Sequence, residues 1–240
     1  MDFFVLTKDE INRIVASEII DLINKKERPV LGLATGSTPL GVYANLVDAY
    51  KNNVVSFKNV ETYNLDEYVG LHDNHNQSYR YFMNNNLFDL VDIDINKTHF
   101  PSDNISSKYH YSNYDNEIIN SGGIDIQILG IGSNGHIAFN EPGTSFSSLT
   151  HVVELKESTI IDNSRFFKSI EDVPKKAISM GLKSIMNARK IILIAFGENK
   201  AKAIRDLVNN KPNISLPASI LIGHKNTVIY CDNEASSLIK

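Results

Sequence analysis

The stretch "IDIQILGIGSNGHIAFNEPG", residues 124–143, begins as an isoleucine- and leucine-rich run and ends in glycines that surround one histidine and one glutamate. An apolar run of this kind reads as a strand buried on both faces, the type found in parallel sheets covered by helices. Gly130 and Gly132 let the backbone turn sharply where the strand ends, Gly135 relieves crowding beside His136, and Glu141 follows in a loop.

Working outward, further strands are expected at 3–6, 29–34, 60–65, 190–196 and 226–231. Helical periodicity lies between them at 8–26, 39–51, 76–90, 108–120 and 198–209. The first helix opens on Thr7 with Glu10 in capping-box register, and the second opens with Pro39. This alternation predicts an α/β fold: an open, mostly parallel sheet flanked by helices, a Rossmann-like α/β/α sandwich. With no repeat or low-complexity linker, residues 1–240 are expected to form a single domain, with a lid segment within the polar stretch 142–175.

Composition excludes several functions. A net charge of −4 with scattered lysine and arginine provides no basic stripe, so no nucleic acid partner is expected. Cys231 is the only cysteine, and no Cys/His spacing matches a zinc site. The N-terminal stretch becomes charged after six residues, and no later run approaches a membrane span. A cytoplasmic protein without a membrane partner is expected.

Three segments follow directly on predicted parallel strands, whose carboxyl ends form the ligand crevice of such sheets. In "LATGSTPLGVY", 33–43, a strand passes through Thr35, Gly36, Ser37 and Thr38 into a helix. Free N–H groups and hydroxyls there suit a phosphate, although the same residues serve equally to turn the chain and cap the helix. Neither the glycine spacing nor a following lysine matches a nucleoside-triphosphate loop.

In "YNLDEYVGL", 63–71, neighbouring carboxylates on an extended segment point to opposite sides, so only one of Asp66 and Glu67 can face the crevice. Asp66, on the side of Asn64, is suited to taking a proton from a carbon next to a carbonyl. The alternative is a surface Asp-Glu pair that caps the next element. In the third segment His136 and Glu141 suggest an acid/base pair, the carboxylate orienting the imidazole and favouring its charged form.

"TGSTP", "NLDEYVGL", "GIGSNGHIAFNEPG" and "NSRFF" (163–167), in this order, resemble the glucosamine-6-phosphate deaminase family over about residues 1–235. "GHIAFNEPG" is the specific element; related sugar-phosphate enzymes share a version of "TGSTP". The resemblance implies conversion of glucosamine 6-phosphate and water to fructose 6-phosphate and ammonia, without metal or organic cofactor. It implies that Asp66 moves a proton between C2 and C1, that His136 assists ring opening with support from Glu141, and that Gly36, Ser37, Thr38, Arg165 and Lys200 hold the 6-phosphate. On their own, Arg165 and Lys200 read more readily as solvated surface cations. A monomer or small homo-oligomer is expected.

Two departures from the family pattern stand out. Asn134 occupies a position where some members have aspartate; asparagine cannot take a proton, so Asn134 is expected to orient by hydrogen bonding and to alter the pH profile. Where allosteric members carry basic residues after "NEP", this chain offers His151 and Val153 within "SFSSLTHVVEL", and it stops at Lys240. Both features lead to an expectation of unregulated activity. The alternative is a 6-phosphogluconolactonase-like hydrolase, whose pattern after the histidine lacks Glu141. A non-catalytic sugar-phosphate sensor would not require Asp66, His136 and Glu141 together.

Overall fold

Runs rich in isoleucine, leucine and valine become the central strands of a seven-stranded sheet, buried on both faces, while the edge strand Asp2–Val5 stays largely exposed. The computed structural model describes residues 1–155 and 169–239. Among these residues the strands are β1 (Asp2–Val5), β2 (Val30–Leu33), β3 (Glu61–Asn64), β4 (Asp66–Tyr68), β5 (Thr98–His99), β6 (Ile126–Leu129), β7 (His151–Glu154), β8 (Lys176–Ser179), β9 (Lys190–Ala195) and β10 (Thr227–Cys231). The helices are α1 (Lys8–Lys25), α2 (Leu40–Lys51), α3 (Tyr79–Asn86), α4 (Tyr111–Asn120), α5 (Leu182–Met186) and α6 (Ala201–Asn209). The main sheet is parallel throughout, in the order β1-β10-β9-β6-β2-β3-β5.

Successive residues of β9 show why both faces are covered. Ile192 and Ile194 join a core with Ile11 and Val15 of α1, Val42 and Leu46 of α2 and Met83 of α3. Ile191, Leu193 and Ala195 join the opposite core with Tyr114 of α4, Ile185 of α5 and Ile204 and Leu207 of α6. Each fully buried aliphatic side chain contributes roughly 1.5–3 kcal/mol. Thr7 and Glu10 form the predicted capping box on α1. No helix among the described residues is long and apolar enough to cross a membrane.

The six strands read from hydrophobic pattern are all present, with ends shifted by a residue or two. The expected helix at 76–90 is shorter: α3 stops at Asn86 and a 3-10 turn, Phe88–Leu90, follows. The expected helix at 198–209 likewise begins as a 3-10 turn, Glu198–Lys200.

A second, antiparallel sheet in the order β4-β8-β7 departs from the sequence reading. Asp66–Tyr68 is not the tail of the preceding strand. Leu65 N–H donates to Leu33 O at 3.1 Å, Met180 N–H donates to Leu65 O at 2.7 Å, and the chain then pairs with β8. The stretch 142–175 contributes β7 and the 3-10 turn Ile170–Asp172; residues 156–168, a large part of the expected lid, lie outside the described residues.

At the amino ends of the central strands, Asp125 is buried and joins three of them. Its carboxylate accepts from Val30 N–H at 2.8 Å, from Lys26 Nζ at 2.7 Å and from Arg189 Nη1 at 3.0 Å. Its backbone pairs with Val30 O and Lys190 N–H. Replacing Asp125 by alanine leaves the Val30 amide without its acceptor, while the more exposed Lys26 and Arg189 can be rehydrated. A loss of about 1–3 kcal/mol is expected, read as a lower urea midpoint with an unchanged slope.

Candidate active site

Four turns leave the carboxyl ends of β9, β6, β2 and β3, which are neighbours in that order. From β2 the chain winds out through β3 to β5, and from β6 it winds the other way through β9 to β10. The crevice at such a switch point is the ligand site of open α/β sheets.

The β2 turn holds Gly36 at φ 86°, in the left-handed region that glycine adopts without strain. Gly36 and Ser37 are exposed and Thr38 is half-buried. The Tyr43 hydroxyl donates to Ala34 O at 2.6 Å and ties this turn to α2. No side chain caps the start of α2 at Pro39, so its first-turn N–H groups suit an anion.

The β6 turn lies alongside. A Cβ on Gly130 would stand 3.5 Å from Thr38 Oγ1, and one on Gly132 would fall on the His136 imidazole. The ring thus packs against bare backbone, while Gly132 N–H donates to His136 O at 2.8 Å. His136 Nδ1 is 3.4 Å from Glu141 Oε1. Asn134 Nδ2 donates to Glu141 Oε2 at 2.8 Å, and His136 N–H donates to Asn134 Oδ1 at 3.1 Å. The three sequence-predicted residues of this turn therefore form one hydrogen-bonded group. A carboxylate at Nδ1 favours the tautomer with its proton there, which leaves Nε2 as the ring's acceptor.

Between His136 and Glu141 the chain bends tightly, with Ala138 at φ 52°, a left-handed conformation that costs a non-glycine residue of order 1–3 kcal/mol. Surrounding contacts hold it. Asn140 N–H donates to Ile137 O at 3.1 Å, Asn140 Nδ2 donates to Met180 O at 2.8 Å, and Phe139 N–H donates to Ser179 Oγ at 3.1 Å.

Ser179 is also the register partner of Asp66 across β8 and β4. One short strand thereby supports both the Asp66 segment and the His136–Glu141 loop. Tyr68, Tyr79 and Phe139 add a second link, with ring centroids 4.9 to 6.1 Å apart. Sequence reasoning missed Ser179, Asn140 and this aromatic group. The usable signal for Ser179 was the short, mostly apolar run "AISM", 177–180, too short to stand out beside the longer runs.

Asp66 and Glu67 are both buried, with 8% and 7% exposure, so a surface pair is ruled out. Glu67 nevertheless caps the next element: Oε1 accepts from Tyr68 and Tyr79 N–H, and Oε2 from Arg80 N–H, each at 2.9 Å. Burial, helped by the neighbouring Glu67 charge, pushes Asp66 from 3.8 up to about 8.

Beyond β9, Gly197 at φ 87° donates its N–H to both Asp232 oxygens at 3.1 and 3.0 Å. Lys200 N–H donates to Gly197 O at 3.0 Å, so Asp232 fixes the turn that ends in Lys200. Arg165 lies outside the described residues. A cavity of about 580 Å³ borders Ser133 and Asn134 and runs along α6 past Lys202 and Asp206. It flanks the outer side of the loop, and neither Asp66 nor His136 lines it. Among the described residues, no group of three or more His, Cys, Asp or Glu side chains is placed to hold a metal ion.

Residues 7–230 match the family model described as glucosamine-6-phosphate isomerases/6-phosphogluconolactonase. A protein of Clostridium novyi named glucosamine-6-phosphate deaminase is 52% identical over 237 residues, covering 98% of this chain and 96% of that protein. A Clostridium perfringens protein of the same name is 46% identical over 98% of this chain and 99% of its own length. A solved structure described as a monomeric glucosamine-6-phosphate deaminase superposes with a TM-score of 0.94 at 41% identity, covering 99% of this chain and 100% of that one. With a family model matching most of its length and relatives about half identical over nearly all of it, the chain belongs to the glucosamine-6-phosphate isomerase/6-phosphogluconolactonase family.

Proposed function

We propose that this chain is a glucosamine-6-phosphate deaminase, converting glucosamine 6-phosphate and water to fructose 6-phosphate and ammonia. The observation that carries this reading is Glu141 on the His136 imidazole at the end of β6, in a chain about half identical to proteins of that name. A 6-phosphogluconolactonase-like pattern has no glutamate there.

The 6-phosphate sits at the uncapped start of α2 with Gly36, Ser37 and Thr38, neutralised by Lys200 and Arg165. The sugar ring lies over His136, which moves a proton during ring opening. Glu141 orients the imidazole and stabilises its charged form, and Asn134 holds Glu141 by hydrogen bonding. In the open chain Asp66 takes the proton from C2 and returns it to C1. C2 then carries the imine, which water hydrolyses to release ammonia. One assay separates the two family activities. The purified protein is expected to release ammonia and fructose 6-phosphate from glucosamine 6-phosphate, with unphosphorylated glucosamine barely used. Turnover of 6-phosphogluconolactone in place of the amino sugar would reverse the assignment.

Only ionised Asp66 can accept the C2 proton. With its carboxyl held at about 8 in the free protein, kcat/KM is expected to rise with pH through that region. Asp66→Asn should lower kcat by about 10²-fold or more, with KM changing far less. The same replacement should change stability with a definite sign. Between 3.8 and about 8 the folded chain holds a proton on Asp66 that the unfolded chain has lost, so wild-type stability falls as pH rises through that window. Asp66→Asn lacks this loss, and its melting temperature relative to wild type should increase between pH 5 and pH 9.

The region after the catalytic loop supports unregulated activity. His151 Nδ1 bonds to Leu149 O at 2.7 Å, and Val153 packs against the Tyr68–Phe139–Leu155 cluster. Neither is placed as a cationic partner for a phosphorylated effector, and allostery requires such differential contacts. Initial rates against glucosamine 6-phosphate are expected to be hyperbolic and unaffected by N-acetylglucosamine 6-phosphate; a sigmoidal curve that this effector straightens would contradict the reading.

A further inference from the structure

Glu67 is a buried carboxylate for which ring opening and proton transfer have no direct use. Its two oxygens accept three backbone N–H groups, one from its own strand and two from the first turn of α3. Burial pushes the Glu67 carboxyl above its ordinary range, and the three converging donors, which an ionised carboxylate accepts, oppose that rise. The third first-turn amide of α3, that of Tyr81, is taken by Ser78 Oγ at 3.0 Å, and Ser78 Oγ–H donates to Asp73 O at 2.7 Å. The loop 69–78 is thus closed at both ends by side-chain caps.

We propose that Glu67 is a positioning residue for the reaction, its carboxylate tying β4 to α3 so that Asp66 is held on the crevice side and beside a fixed negative charge. The geometric part follows from the strand itself. Adjacent residues alternate sides, so anchoring Glu67 to α3 determines which way Asp66 points. β4 has only three residues and one partner strand, β8, so its backbone pairing alone is a weak constraint.

The electrostatic part follows from what surrounds Asp66. Tyr68 on the same strand, Tyr79 from α3 and Tyr114 from α4 all interact with it. Ser179, opposite in β8, does not titrate. Burial pushes all three phenols upward, so they are neutral near pH 7. Glu67 is then the one charged group among these neighbours, while its own field meets Asp73 and the Arg80 guanidinium. Its repulsion adds to burial in keeping Asp66 a strong enough base for a carbon-bound proton.

The inference rests on the proposed role of Asp66, and its test does not require turnover. Asp66 ionisation is followed by NMR of ¹³C-carboxyl-labelled aspartate, the signal being assigned by its loss in Asp66→Asn. In Glu67→Gln the Asp66 titration should move to lower pH by about one unit or more. Amide exchange at Tyr79 or at Arg80 should accelerate roughly tenfold, because Gln keeps one acceptor oxygen and presents a donor in place of the other. A solely capping role would change the exchange and leave the titration in place, and that result overturns the charge argument. Unchanged exchange overturns the tether. Should Glu67→Gln not fold, Glu67→Asp keeps the charge but is one methylene too short. Faster exchange at Tyr79 and Arg80 supports the tether there, and unchanged exchange overturns it. Failure of the wild type to release ammonia would instead count against the reaction, whatever the titration shows.

Discussion

Parallel pairing of β6 between β2 and β9 is the constraint on which the site depends. At the amino ends Asp125 draws the three strands together through Val30, Lys26, Arg189 and Lys190. At the carboxyl ends the chain departs in opposite directions, and the turn after β2 lies against the turn after β6 closely enough for Gly130 to sit beside Thr38. An open crevice follows because the two turns leave their adjacent strands in opposite directions. The buried Gln127 uses the same junction: a Cβ on Gly32, its register partner in β2, would occupy the space of its amide.

The small antiparallel sheet solves a different problem. Residues at the ends of parallel strands sit on turns, and turns by themselves hold side chains loosely. Strand β8 pairs with the Asp66 segment while Ser179 and Met180 hold the bend between His136 and Glu141. Two parts of the site that are far apart in sequence are thereby referred to one rigid element. The unfavourable φ of Ala138 persists because Phe139 and Asn140 are hydrogen-bonded on either side of β8's end.

Burial raises both neighbouring carboxylates, and their partners then distinguish them. At Glu67 three amide donors oppose the rise that burial causes. Asp66, one residue away, is held to about 8 by desolvation with Glu67 alongside. The contrast arises from partners and not from residue type: Glu67 is engaged by backbone donors, while Asp66 meets chiefly burial and its neighbour's charge.

Sequence by itself determined the layered α/β architecture, because long apolar runs and helical stripes each leave a period that can be read locally. It also marked the turns on which the proposed site is built, through glycine, hydroxyl and carboxylate residues at strand ends. The grouping of Asn134, His136 and Glu141 was legible because all three lie within eight residues of one loop. Only the tertiary structure decided that Asp66 and Glu67 form a strand of a separate sheet, that Glu67 faces α3, and that Ser179 and Asp232 support the Asp66 and Lys200 segments. Those relations join residues tens to more than a hundred positions apart through backbone pairing and single hydrogen bonds. Strands β4, β7 and β8 mix charged and polar residues with few apolar ones and so leave no long apolar run, and a carboxylate's partners are chosen by the fold that surrounds it.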